Sequence, residues 1–220
     1  MKLNRNVSRT LRSLLYSALI ASPLAAASLS QTYTGKLPIE SGNGSVVLES
    51  FSLTSASVLT IYTTSYGGGT NLDNSTTGPG GLQPNLTLYN SNGTAIGYQS
   101  PSFSPIANPD PSNGWKGDGY LQDTDALPGT YCVTLTDWQN QESITATGIN
   151  LSMPLDAQFS GPGGTSFTDV QGNNRTGNYA LDILATPLAS STPEPATLWL
   201  MIPALAGAVV LFRKRRASAV

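Results

Sequence analysis

The run GTYCVTLTDW, residues 129–138, repeats with a period of two. Tyr131, Val133 and Leu135 share one side, and Cys132, Thr134 and Thr136 share the other. That period belongs to an extended chain, whereas a helix needs apolar residues three and four apart. Threonine opposite the apolar positions describes a strand with one face on a core and one toward water. SVLTIYTTSY, residues 57–66, has the same pattern, with Leu59, Ile61 and Thr63 against Val58, Thr60 and Tyr62.

Further strands are expected at 33–37, 45–54, 85–91, 94–99, 119–122 and 177–184. Clusters of Gly, Asn, Pro and Ser separate them, and no segment has a convincing helical period. Ser91-Asn92-Gly93 sits between two of these runs as a hairpin turn. Many short strands without helices predict an all-β, jelly-roll-like antiparallel β-sandwich over residues 28–190. The connections at 67–84, 100–118 and 139–176 are long for a compact domain, so they are expected to be functional or to be ordered by something.

The two ends differ from this middle. Lys2, Arg5, Arg9 and Arg12 precede an apolar stretch from Leu14 to Leu24 and small residues ending at Ala27. That order is a secretory signal peptide, residues 1–27. At the other end, residues 196–212 carry no charge and are followed by Arg213, Lys214, Arg215 and Arg216. The pattern predicts a transmembrane helix whose basic end stays cytoplasmic, with the polar domain outside. Pro193-Glu194-Pro195 stands immediately before it.

Within 28–190 the cations are Lys36, Lys116 and Arg175, against twelve carboxylates, which leaves nine excess negative charges. Such a domain repels phosphate backbones, so no nucleic-acid partner is expected. Cys132 is the single cysteine and excludes an internal disulfide framework. Its place in a strand predicts a small packed residue.

The chain has no histidine. This removes the usual Ser-His arrangements, most zinc sites and the commonest general base. Lys116 lies in a Gly-rich loop, where a desolvated catalytic amine is not expected. Calcium is the remaining chemical candidate. Asp118, Asp123 and Asp125, with Asp110 and Asn113 nearby, are candidate oxygen ligands, and Asp169, Asn173 and Asn174 form a second group. Their spacing does not follow the EF-hand pattern. Arg175 is expected to pair structurally with Asp169 or Asp182. Trp115, Trp138, Tyr98 and Tyr120 could offer a sugar-stacking platform, although such aromatics more often pack under loops.

The Pro193-Glu194-Pro195 motif, apolar helix and Arg-rich end, in that order, resemble the PEP-CTERM sorting signal of bacterial exported proteins. The resemblance implies recognition and tail removal by an exosortase at residues 191–220, and a surface setting associated with exopolysaccharide. Three further pieces are Gly67-Gly68-Gly69-Thr70-Asn71, GTYCVTLTD and RTGNYALD (175–182). They look like small bacterial exported β-sandwich domains similar to pre-peptidase C-terminal domains. That likeness implies no catalytic activity. The expectation is therefore a non-catalytic cell-surface or extracellular-matrix protein, with a calcium- or carbohydrate-binding adhesion module as the alternative.

Overall fold

The computed structural model describes residues 27–38, 46–99, 104–142, 148–153, 158–160 and 167–189. The signal-peptide core, the Pro-Glu-Pro motif, the apolar segment 196–212 and the basic end lie outside them. Among the described residues no helix is long and apolar enough to cross a membrane.

Eight strands of five residues or more carry the fold: β1 (Leu29–Lys36), β2 (Val46–Leu53), β3 (Ser57–Thr63), β6 (Pro84–Asn90), β7 (Ala95–Gln99), β8 (Tyr120–Ala126), β9 (Gly129–Asp137) and β14 (Asn178–Pro187). Three two-residue ladders stiffen the connections. They pair β4 (Gly69–Thr70) with β5 (Thr76–Thr77), β10 (Gln141–Glu142) with β11 (Phe159–Ser160), and β12 (Phe167–Thr168) with β13 (Asn174–Arg175).

The long strands form two antiparallel four-stranded sheets, ordered β1-β14-β3-β8 and β2-β9-β6-β7. The fold is all-β and β-sandwich-like. Both sheets contribute to one apolar core: Leu59, Ile61, Leu181 and Ile183 come from the first, and Phe51, Leu86, Leu88, Val133 and Leu135 from the second. Each fully buried aliphatic side chain contributes about 1.5–3 kcal/mol. Phe51 and Tyr131 stack across β2 and β9, with ring centroids 5.7 Å apart and planes 16° apart. The Tyr131 hydroxyl donates to the Leu127 carbonyl at 2.6 Å, which satisfies its polar tip.

The alternation read from the sequence holds in β3, whose inward residues are buried and outward residues half-buried. In β9 it needs correction, because both faces are buried. Thr134 and Thr136 were expected toward water, but residues 148–153 and 158–160 lie over this side, where Cys132 is packed as expected. Ile149 and Phe159 join Tyr89 and Cys132 in a second small core there. The amide of Ile149 donates to the Gly93 carbonyl at 2.7 Å, which fixes this strap to the β6–β7 hairpin. Gly93 takes φ 79°, the left-handed conformation that the turn requires. Cys132 is a packed residue, with its sulfur 3.4 Å from Ser50 Oγ.

The outer side of the first sheet differs. Val58, Thr60, Tyr62 and Leu184 are half-buried there, and Ser30, Gln122 and Thr186 are exposed. The 71–75 turn reaches onto it. Leu72 N donates to Asp182 Oδ1 and Asp73 N to Thr32 Oγ1, both at 3.2 Å.

The registers also define two poles. Leu29 pairs with Ala185, so the chain enters and leaves at one end. Lys36 pairs with Asn178 at the other end, where β3 runs out into the 64–82 segment, β8 begins after 104–119, and β14 follows 167–176.

Candidate functional site

Three long connections converge at the second pole on one arginine. The Arg175 side chain is 3% exposed and ion-pairs with Asp110 and Asp169, whose side chains are 2% and 0% exposed. Its Nη1 binds Asp110 Oδ2. Nη2 and Nε both donate to Asp169 Oδ2, at 2.6 and 3.0 Å. The guanidinium carbon lies 3.8 Å from the ring centroid of Tyr66, a cation–π contact between buried side chains.

Each partner is positioned by its own loop. Asp110 opens a turn in which its Oδ1 accepts from Ser112 N at 2.7 Å and Ser112 Oγ at 2.5 Å, and Gly114 N returns to the Asp110 carbonyl at 2.7 Å. Asp169 does the same in 167–176, accepting from Gln171 N at 3.0 Å and Asn173 N at 2.8 Å. These aspartate-headed turns are what the Asp/Asn/Gly composition provides locally. The Tyr66 hydroxyl donates to Asp169 Oδ2 at 2.9 Å and accepts from Asn113 Nδ2 at 2.8 Å. Tyr66 also lies against the Gly117 backbone, where an added Cβ would stand 2.7 Å from the ring.

Behind Tyr66, Asp118 is fully buried. Its Oδ1 accepts from Thr63 Oγ1 at 2.8 Å and Tyr66 N at 2.9 Å, and its Oδ2 from Gly67 N at 2.9 Å. One carboxylate thereby fixes the exit from β3 to the start of β8. Trp138 adds a strut from the second sheet, with Nε1 donating to the Thr168 carbonyl at 2.5 Å.

The electrostatics divide the carboxylates into two groups. Burial opposes charge at Asp169 and Asp110, but Asn173 and Arg175 at the former, and Ser112 and Arg175 at the latter, outweigh it and hold both below the usual range. Burial pushes Asp118 up to about 6, against the hydrogen bonds from Gly67, Tyr66 and Thr63. Burial likewise raises Asp137 to about 7, opposed by amides at Gln139 and Trp138. The Arg175 cluster, one guanidinium bonded to two carboxylates, is a clamp joining loops.

The sequence expectation for Arg175 named Asp169 or Asp182. Asp169 is the partner, together with Asp110, while Asp182 lies on the outer side of the first sheet and accepts from Thr32 Oγ1 at 2.5 Å. The set Asp118, Asp123 and Asp125 does not assemble. Asp118 is enclosed by three donors, whereas Asp123 and Asp125 lie on β8, with Asp125 N donating to Asp123 Oδ1 at 2.9 Å. Among the described residues no three acidic, histidine or cysteine side chains are grouped to hold a metal. The four aromatics fall on separate elements: Tyr98 on β7, Tyr120 on β8, Trp115 in the 104–119 loop, and Trp138 beyond β9. Tyr66 was missed because its role depends on Gly117 and Arg175, which are far away in sequence. The chain matches no protein-family model and no curated protein.

Proposed function

We propose that this chain is an exported, non-catalytic cell-surface or extracellular-matrix protein, held at the inner membrane by its C-terminal helix and then released by an exosortase. The observation that carries this reading is the order at residues 193–216: Pro193-Glu194-Pro195, an uncharged run, and Arg213, Lys214, Arg215 and Arg216. The rigid prolines keep the cut site extended, and the basic end holds the topology. A signal peptide over 1–27 requires the same outward orientation.

The strand order supports a jelly-roll-like reading of the exported domain. Counted along the eight long strands, the sheets run 1-8-3-6 and 2-7-4-5, with most connections crossing between sheets. The clamp supports a structural use for the charged groups, since Arg175 and its two aspartates are engaged with one another. An association with exopolysaccharide fits this setting. A calcium- or carbohydrate-binding adhesion module is the second reading, and the row Ser30, Leu184, Thr60 and Gln122 on the outer side of the first sheet, which carries no charge, favours its carbohydrate form.

The test is intact-mass measurement of the protein recovered from the cell surface of an exosortase-bearing bacterium. Material lacking the 213–216 segment supports processing, and Glu194→Ala should leave the tail attached. Surface protein that still carries Arg213 to Arg216 in the presence of an active exosortase overturns it.

A further inference from the structure

The two broad outer faces of the molecule are treated differently. Around Tyr89 and Cys132 the second sheet is covered by Ile149 and Phe159, while Ser50, Ser52 and Thr130 beside them stay exposed. The first sheet is reached by the 71–75 turn at Thr32 and Asp182 and otherwise presents residues in registered rows, one running Ser30, Leu184, Thr60, Gln122 and the next Thr32, Asp182, Tyr62, Tyr120. Strands lie about 4.8 Å apart and same-face residues about 6.8 Å apart along each strand, so these rows form a regular lattice.

The chemistry of this face contrasts with that of the domain. Nine excess negative charges cover residues 28–190, yet the first row carries none. The one carboxylate in the second row, Asp182, is fully buried. What remains at the surface is hydroxyl and amide (Ser30, Thr60, Gln122) beside aromatic and aliphatic carbon (Tyr62, Tyr120, Leu184). Gln122 Nε2 already reaches Thr60 Oγ1 at 3.4 Å, which links the polar groups of adjacent strands. Loss of charge from a patch on a charged protein marks surface meant to be covered.

We propose that this open face of the first sheet binds a neutral glycan. A sugar ring offers CH groups to tyrosine and leucine and hydroxyls to the threonine, serine and glutamine. An anionic polymer would be repelled by the surrounding carboxylates, and a cationic one would find at the rows only the exposed carboxylate of Asp73, on the turn beside Thr32. This deepens the matrix reading above and rests on it for the presence of polysaccharide.

The experiment is retention of the full-length protein, in detergent, on insoluble neutral β-glucan and chitin, with alginate as the acidic comparison. Retention on a neutral matrix should fall at least tenfold in Gln122→Glu and in Tyr120→Ala. It should persist in Ser52→Glu, which alters the other sheet. Melting curves confirm that each variant folds, and Thr60→Glu replaces any that does not. Retention unchanged in all the first-sheet variants overturns this site, as does absence of retention on every neutral matrix, or binding to alginate alone. Self-association in sedimentation that Gln122→Glu abolishes makes a second copy the occupant and also overturns it. None of these results alters the tail-processing measurement, so the two readings fail separately.

Discussion

Arg175 lies over the ring of Tyr66, 3.8 Å from its centroid, and the backbone of Gly117 lies against the same ring. The aromatic ring thus touches both a cation and bare backbone, and the 64–82, 104–119 and 167–176 segments meet there.

Replacing Arg175 leaves Asp110 and Asp169 buried without their counter-charge. Arg175→Met should cost about 3–5 kcal/mol in denaturant unfolding, the loss typical of breaking a buried ion pair from one side. Arg175→Lys restores a charge but not the fork that reaches both carboxylates, so it should recover only part of the loss.

The pH dependence has two opposed parts. Asp118 and Asp137 have folded values of about 6 and about 7, above the ordinary 3.8. The folded state therefore binds protons more tightly than the unfolded chain, and these groups add stability as pH falls from about 7 toward about 4. Asp110 and Asp169 are held below 3.8, so their stabilisation is present above that value and is lost as pH falls further. Melting temperature should be highest at about pH 4–5 and decline on both sides. Asp118→Asn should flatten the decline between about pH 5 and 7. A maximum at neutral pH would contradict this assignment.

Gly117→Ala brings a methyl group to 2.7 Å from the Tyr66 ring. The contact is with the base of the ring, so something must shift, and the substitution should cost about 1–3 kcal/mol, as overpacking does. Gly78→Ala meets nothing within 4 Å and serves as the control, with a change within about 0.5 kcal/mol. Chemical denaturation of both variants decides it.

Cys132 is 6% exposed, beneath the strap over the second sheet. Its thiol should resist alkylation in buffer and react fully in denaturant. Fast labelling of the native protein would show that Ile149 and Phe159 do not cover it.

The strands were legible because their side-chain period is local. β3 reads directly from Leu59 and Ile61 against Thr60 and Tyr62, and the β6–β7 hairpin from Ser91-Asn92-Gly93. What pairs with what was not, since β14 lies between β1 and β3 through contacts from opposite ends of the chain. The burial of Thr134 and Thr136 was hidden for the same reason: hydroxyl-bearing residues look solvent-facing until a distant segment folds over them. At the clamp, Arg175 with Asp169 could be anticipated because only six positions separate them. Asp110 is 65 positions from Arg175 and carries no mark distinguishing it from other turn aspartates.

The pairing of Leu29 with Ala185 has a mechanical consequence. Tension applied through Pro187 against a load gripping the clamp would run along β14, which lies between β1 and β3 with Arg175 just before its start. Rupture would have to slide that strand past both neighbours at once rather than peel bonds singly, so the domain should withstand pulling in this direction better than in one that strips an edge strand.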